Sequence, residues 1–134
     1  MTRLTVTFAI IFALLLGGCA QRTRQIYNVD RPMPHGVERL SPVRIRDLII
    51  AAGKSLEWSM TPIAPGHLEA TDTSEKVSAT VEIYYTPARL QIQIGSTVNL
   101  FQTATTVHDR YNRMVKSLES GIVDNLSAAA GQPQ

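Results

Sequence analysis

The clearest hydrophobic pattern in the chain is a strict alternation of apolar and polar residues in its middle. Apolar side chains recur at every second position from Val77 to Tyr85, and again from Leu90 to Ile94. Alternation with a period of two is typical of a strand with one buried face, and the short loop at 86–88 is typical of a hairpin. We therefore expect two antiparallel strands here.

Two shorter alternating segments precede this hairpin. Leu56, Trp58 and Met60 alternate with polar residues up to Pro62, and the pattern resumes over residues 67–71 after a Pro-Gly turn. Each segment predicts a short strand, and the proline and glycine between them predict the turn that joins the strands. The tryptophan shares the phase of its apolar neighbours, so it is expected in the core.

The period changes to that of a helix on both sides of the strands. Ser41 and Pro42 suit the N-cap and the first position of a helix, and apolar residues then recur at spacings of three and four toward Gly53. A longer helix is predicted from about Thr105 to Ala128. Its apolar stripe consists of Val107, Tyr111, Met114, Leu118, Ile122 and Leu126.

Together these elements predict an α+β fold of helix, four-stranded antiparallel sheet and helix. Each helix has one apolar stripe and the sheet has one apolar face, so both helices are expected on the same sheet face. The domain is expected to span residues 41–128, and residues 129–134 to form a frayed tail. The other sheet face then meets water, with His67, Glu69, Thr71, Thr80, Glu82, Tyr84, Gln91 and Gln93.

The N-terminal segment has the pattern of a secretion signal. Arg3 precedes an unbroken run of nine apolar residues, from Phe8 to Leu16. A helix that spans a membrane needs about 20 apolar residues, whereas a signal peptide needs only a short apolar core. The chain is therefore expected to be exported.

The end of this signal resembles the lipobox of bacterial lipoproteins, in the residues Leu16-Gly17-Gly18-Cys19. The resemblance implies that residues 1–18 are a cleaved signal peptide and that the Cys19 thiol is acylated, which anchors the mature protein. Ala20 stands where an aspartate would imply retention at the inner membrane. The resemblance thus implies the periplasmic face of the outer membrane.

Residues 19–40 lack a sustained hydrophobic period. Pro32 and Pro34 deny this segment helical hydrogen bonds, so it is predicted to be a lipidated, flexible tether. Two interpretations of its basic residues remain open: they contact anionic lipid head groups, or they only keep a linker soluble. These residues are Arg22, Arg24, Arg31 and Arg39.

Composition and motifs limit the chemistry of the domain. The net charge of +2 is too small for a typical nucleic-acid-binding domain, and the single cysteine excludes an intramolecular disulfide. The sequence contains no P-loop, dinucleotide-binding or nucleophile-elbow motif, so no cofactor is predicted. His67 and Glu69 share a sheet face, but a third metal ligand is not evident, so no metal site is predicted.

The candidate contact residues are on the polar face of the predicted sheet. The leading hypothesis is a lipid-anchored, non-catalytic binding or scaffold module for an envelope protein. The alternatives are an envelope hydrolase that uses His67 and Glu69, and a domain that binds a small ligand between helices and sheet. The residues assigned to partner contact are His67, Glu69, Tyr84, Gln91 and Gln93.

Two large apolar residues lie between the last predicted strand and the last predicted helix. Leu100 and Phe101 are expected to close the end of the core, with partner contact as the alternative.

The body also resembles a group of small bacterial lipoproteins in Trp58 before a Pro-Gly turn, in the VEIYY strand at 81–85 and in the helix at 107–122. That resemblance implies an architecture and no activity.

Overall fold

A computed structural model describes residues 22–131. The predicted signal peptide, the lipobox with Cys19 and residues 132–134 of the predicted tail lie outside this range. The elements in chain order are β1 (Thr23–Gln25), β2 (Val29–Pro32), a short 3₁₀ helix (Val37–Arg39), α1 (Pro42–Ser55), β3 (Ser59–Ala64), β4 (His67–Ser74), β5 (Val77–Tyr85), β6 (Arg89–Val98), β7 (Thr106–His108) and α2 (Asp109–Ala130).

The strands form two antiparallel sheets. The larger one has five strands in the order β2-β6-β5-β4-β3, and the smaller one pairs β1 with β7. The α+β class and the antiparallel sheet are therefore confirmed. The prediction of four strands is wrong, because three short strands outside the alternating region also pair.

Residues 22–40, which their composition predicts to be a flexible tether, contribute β1, β2 and the 3₁₀ helix. In β2, Val29 is buried and pairs with Ile92 of β6. Pro32 is tolerated because it ends an edge strand, where a missing N–H costs little. A strand of three or four residues is too short to show a clear alternation of apolar and polar residues. For that reason the sequence pattern did not predict β1 and β2.

The 3₁₀ helix fastens this N-terminal segment to the end of α2. Val37 is fully buried, and the Arg39 guanidinium donates a hydrogen bond to the Ala130 carbonyl at 3.2 Å. Gly36 precedes it with a φ of 95°, and a Cβ there would lie 3.1 Å from the Ala130 Cβ. Helix α2 consequently continues through residues 129 and 130, which were predicted to fray.

Both helices begin at well-defined caps. The Ser41 side chain accepts a hydrogen bond from the Arg44 backbone N–H at 3.1 Å, as predicted for the start of α1. Helix α2 starts at Asp109, four residues later than predicted, because residues 106–108 pair with β1. The His108 ring then accepts from the Arg110 N–H at 3.1 Å and takes the place of a conventional cap residue.

One hydrophobic cluster joins both helices to a single face of the larger sheet. Trp58 belongs to it, as predicted, whereas Leu56 is partly exposed and β3 begins only at Ser59. Glu57 has a φ of 67°, and this left-handed residue interrupts the predicted alternation. The fully buried large side chains include Ile45, Ile49, Leu68, Ile83, Leu90, Ile92, Tyr111, Leu118, Ile122 and Leu126.

Tyr111 is an unusual member of this core. Its ring is fully buried, and its hydroxyl has no hydrogen-bond partner among residues 22–131. Burial also raises the pKa of this tyrosine, so the hydroxyl stays neutral. A buried donor without a partner destabilises the folded state.

Tyr111→Phe is therefore expected to raise the free energy of unfolding by about 1 kcal/mol or more in urea denaturation. Tyr27→Phe is the contrasting variant, because the Tyr27 hydroxyl donates to the Glu119 carboxylate at 2.7 Å. That substitution should lower stability. A loss of stability in both variants would show that Tyr111 has a hydrogen-bond partner after all.

Candidate functional site

The polar face of the larger sheet collects all five predicted contact residues. Their strands β4, β5 and β6 are adjacent, and cross-strand pairing arranges the side chains in two neighbouring rows. Glu82 completes the set. The first row contains His67, Tyr84 and Gln91, and the second contains Glu69, Glu82 and Gln93. We call these six residues the polar sheet face.

His67 makes two side-chain contacts on this face, one with Tyr84 and one with Glu82. Its ring stacks on Tyr84 with centroids 4.4 Å apart and an interplanar angle of 17°. Its Nε2 lies 2.5 Å from a carboxylate oxygen of Glu82. The two side chains of this pair are 23% and 27% exposed, so the contact lies at the surface but is partly shielded from water.

The carboxylate that contacts His67 differs from the one expected. The sequence pattern paired His67 with Glu69, two positions along the same strand, whereas the structure pairs it with Glu82 on β5. Alternation did place Glu82 on the correct face. Which carboxylate meets the ring depends on the register between strands, and a single strand carries no signal for register.

Glu69 and Glu82 lie directly opposite each other on β4 and β5. Among the described residues, Glu69 has no side-chain hydrogen bond or ion pair. Like charges at directly opposed positions destabilise a sheet. The second row of the polar sheet face is therefore acidic.

The first row continues onto the edge strand β2. Asp30 lies opposite Gln91, and its carboxylate accepts a hydrogen bond from Arg89 Nε at 2.7 Å. This hydrogen bond holds the pKa of Asp30 below its usual value. The ion pair is exposed and closes one end of the row.

Two kinds of hydrolytic site can be compared with this face, a metal centre and a nucleophile bonded to a histidine. Within the described part of the chain, no three His, Cys, Asp or Glu side chains lie close enough together to hold a metal ion. The one side-chain hydrogen bond of His67 goes to Glu82, and no serine or threonine hydroxyl in residues 22–131 is hydrogen-bonded to the ring.

A shallow apolar depression of about 420 Å³ lies at one end of the sheet. The start of α1 on one side, and the β3–β4 and β5–β6 turns on the other, form it, so it lies where one helix meets one end of the sheet. Its apolar lining includes Pro42, Val43, Pro62, Ile63, Pro65 and Pro87.

A second depression, of about 500 Å³, lies between the segment that follows β1 and the first turns of α2. Lys116 Nζ is 5.0 Å from the centre of the Tyr27 ring, and Arg113 donates to the Asp109 carboxylate at 2.8 Å. We call this depression the basic cleft, because three cationic side chains and one carboxylate line it. The four are Arg24, Arg113, Lys116 and Asp109.

Of the two residues that were expected to close the end of the core, one is buried and the other is exposed. Leu100 is buried as expected, but Phe101 is 53% exposed. Both Asn99 and Phe101 have left-handed backbone conformations, with φ of 57° and 52°, so the chain turns sharply here. Consecutive side chains then point away from each other.

Comparison with known proteins adds no family. No protein-family model matches the chain, and no curated protein or solved structure is significantly similar to it. Among residues 22–131, no helix is both long enough and apolar enough to cross a membrane. A functional proposal therefore depends on the sequence motif at the N-terminus and on the geometry of the two surfaces described above.

Proposed function

We propose that the protein is a lipid-anchored lipoprotein of the bacterial cell envelope and that its folded domain is a non-catalytic binding module. The lipobox at residues 16–19, behind a signal-like apolar run, supports an acyl anchor on Cys19. Ala20 favours the periplasmic face of the outer membrane.

The observation that carries the binding proposal is the pair of opposed carboxylates on the polar sheet face. Glu69 and Glu82 lie directly opposite each other on neighbouring strands, where like charges are unfavourable, and Glu69 has no side-chain hydrogen bond or ion pair within the described residues. Local arrangements that cost stability are expected mainly at functional sites. The partner proposed here is an envelope protein that offers basic and hydrogen-bond-donating side chains, because such groups complement this row.

A second candidate function is an envelope hydrolase, and the His67–Glu82 pair favours it. A carboxylate that orients a histidine is a common arrangement for a general base. A covalent mechanism would also need a nucleophile within reach of the ring, and none is hydrogen-bonded to it among residues 22–131. In a binding module, the Glu82 carboxylate would hold the His67 imidazole in place against the Tyr84 ring. The two stacked rings would then form one contact surface for a partner.

The binding proposal is tested with a photo-crosslinking amino acid at Gln93, which is exposed on the polar sheet face. The full-length protein is expressed in cells, and the crosslinked partner is identified from the membrane fraction. A crosslinker at the exposed Ser120 of α2 is the positional control. A specific product from Gln93 alone is expected.

Glu69→Gln is then expected to weaken partner binding and to stabilise the folded domain. It should reduce the yield of the crosslinked product, because it removes a charge that the partner reads. It should also raise the free energy of unfolding by about 0.2–1 kcal/mol, since the cross-strand repulsion disappears. Glu75→Gln, at an exposed turn, removes the same charge elsewhere and should change neither quantity. Unchanged crosslinking in Glu69→Gln would contradict the assignment of this face.

A further inference from the structure

We propose that the basic cleft binds the phosphate-bearing head groups of anionic lipids and docks this end of the domain directly on the membrane that holds the anchor. The inference rests on the proposed acylation of Cys19, because the anchor decides which end of the domain meets the bilayer. It replaces the predicted long tether with a short one.

The chain becomes fixed almost immediately after the proposed anchor. The Arg22 carbonyl accepts a hydrogen bond from the Asp109 N–H at 2.8 Å, at the point where α2 begins. Thr23 to Gln25 then pair with β7. A fully extended chain covers about 3.3–3.6 Å per residue, so the step from Cys19 to Arg22 spans at most about 10 Å.

The basic cleft lies beside this attachment point. Arg24 belongs to β1 itself, and Arg113 and Lys116 follow within the first turns of α2. All three are exposed, and the charge of Arg22 also acts on Asp109 in the same region. At physiological salt, charges attract each other over a distance of about 8 Å. The short chain between Cys19 and Arg22 would hold these cations at about that distance from a charged bilayer surface.

Two hydrogen bonds join the walls of the cleft. The Asn112 side chain accepts a hydrogen bond from the Tyr27 N–H and donates one to the Gln25 carbonyl, both at 2.9 Å. This bidentate contact holds the segment after β1 against α2. The Tyr27 ring, with the Lys116 ammonium above it, supplies the amphipathic surface that suits the head-group region of a membrane.

The opposite end of the domain provides a matched set of cations. Arg44 and Arg46 lie at the start of α1, and Arg89 begins β6 beyond the β5–β6 turn. Helix α1 runs antiparallel to α2: the Asn125 side chain donates a hydrogen bond to the Leu48 carbonyl, and Leu56, just after α1, lies against Gly121, nearer the start of α2. Charges at this end therefore point away from the proposed membrane surface.

The test uses the chain that begins at residue 19, with Cys19→Ser to remove the acylation site; it contains every described element. Flotation with phosphatidylcholine vesicles, with or without phosphatidylglycerol, measures binding. We expect binding only to vesicles with phosphatidylglycerol, and its loss at high salt. The combined variant Arg24→Gln, Arg113→Gln and Lys116→Gln should bind at least about tenfold more weakly. The control Arg44→Gln, Arg46→Gln and Arg89→Gln should bind like the parent.

Three results would overturn the proposal. The first is equal binding to both kinds of vesicle, and the second is an equal loss in the two triple variants, which would indicate net charge alone. The third is displacement of the vesicles by inorganic phosphate at constant ionic strength, which would assign the cleft to a free phosphate. The mass of the Cys19 peptide from cells tests the anchor separately: an acylated cysteine with no vesicle binding refutes only the cleft.

Discussion

Val37→Asp is expected to lower the free energy of unfolding by at least about 3 kcal/mol, or to prevent folding altogether. Val37 is fully buried between the N-terminal segment and the end of α2. An aspartate there either carries an uncompensated charge into the core or takes up a proton, and both routes cost free energy. The 3₁₀ helix would detach, and the cap that it forms on α2 would be lost with it.

The matched control is Val43→Asp, six residues further along. Val43 is 57% exposed in the first turn of α1, where a negative charge is favourable for the helix dipole. Its free energy of unfolding should stay within about 0.5 kcal/mol of the parent. Urea denaturation followed by the fluorescence of the buried Trp58 compares the two. Equal midpoints would mean that the segment before α1 does not fold with the domain.

Cys19→Ser is expected to move the protein from the membrane fraction to the soluble fraction. Each buried methylene of an acyl chain contributes about 0.8 kcal/mol to membrane binding, and stable anchoring takes more than one chain. No helix among residues 22–131 could replace that anchor by crossing the bilayer. The serine keeps nearly the same shape but lacks the thiol that receives the lipid.

Ala20→Ser serves as the control for this substitution, because it changes the neighbouring residue and keeps the cysteine. It should remain in the membrane fraction. Residual membrane binding of Cys19→Ser that a salt wash removes would be due to surface charge, as proposed for the basic cleft. Residual binding that resists salt, in protein whose mass shows that residues 1–18 have been removed, would contradict the acyl anchor and require another attachment.

The sequence pattern predicted most accurately the elements whose structure depends on residues close together in the chain. The strand from Val77 to Tyr85 has the same bounds in the sequence pattern and in the structure, because unbroken alternation defines both its ends and its faces. The start of α1 at Ser41 and Pro42 was equally accurate, since capping is a local hydrogen bond. Elements stabilised by distant pairing were missed. Val29 forms a strand only because Ile92 is available as its partner.

The same division applies to the two candidate surfaces. The polar sheet face was predictable because side chains at every second position share one side of a strand. The contact of His67 with Glu82 was not, because it depends on the register between β4 and β5. The basic cleft was hidden for a similar reason: Arg24 and Lys116 lie near opposite ends of the described chain, and only the pairing of β1 with β7 unites them.

The pairing of β1 with β7 also decides how the protein responds to mechanical load. In an anchored molecule, tension between membrane and domain enters at Arg22 and acts first on a ladder only three residues long. The five-stranded sheet is loaded only after that ladder has opened. Residues 22–28 would be released, and would extend by about 23–25 Å, once the contacts of Gln25 and Tyr27 with Asn112 and of Tyr27 with Glu119 had opened as well, while the polar sheet face stays folded. With the proposed anchor on Cys19, the small sheet would therefore open before the larger one is loaded.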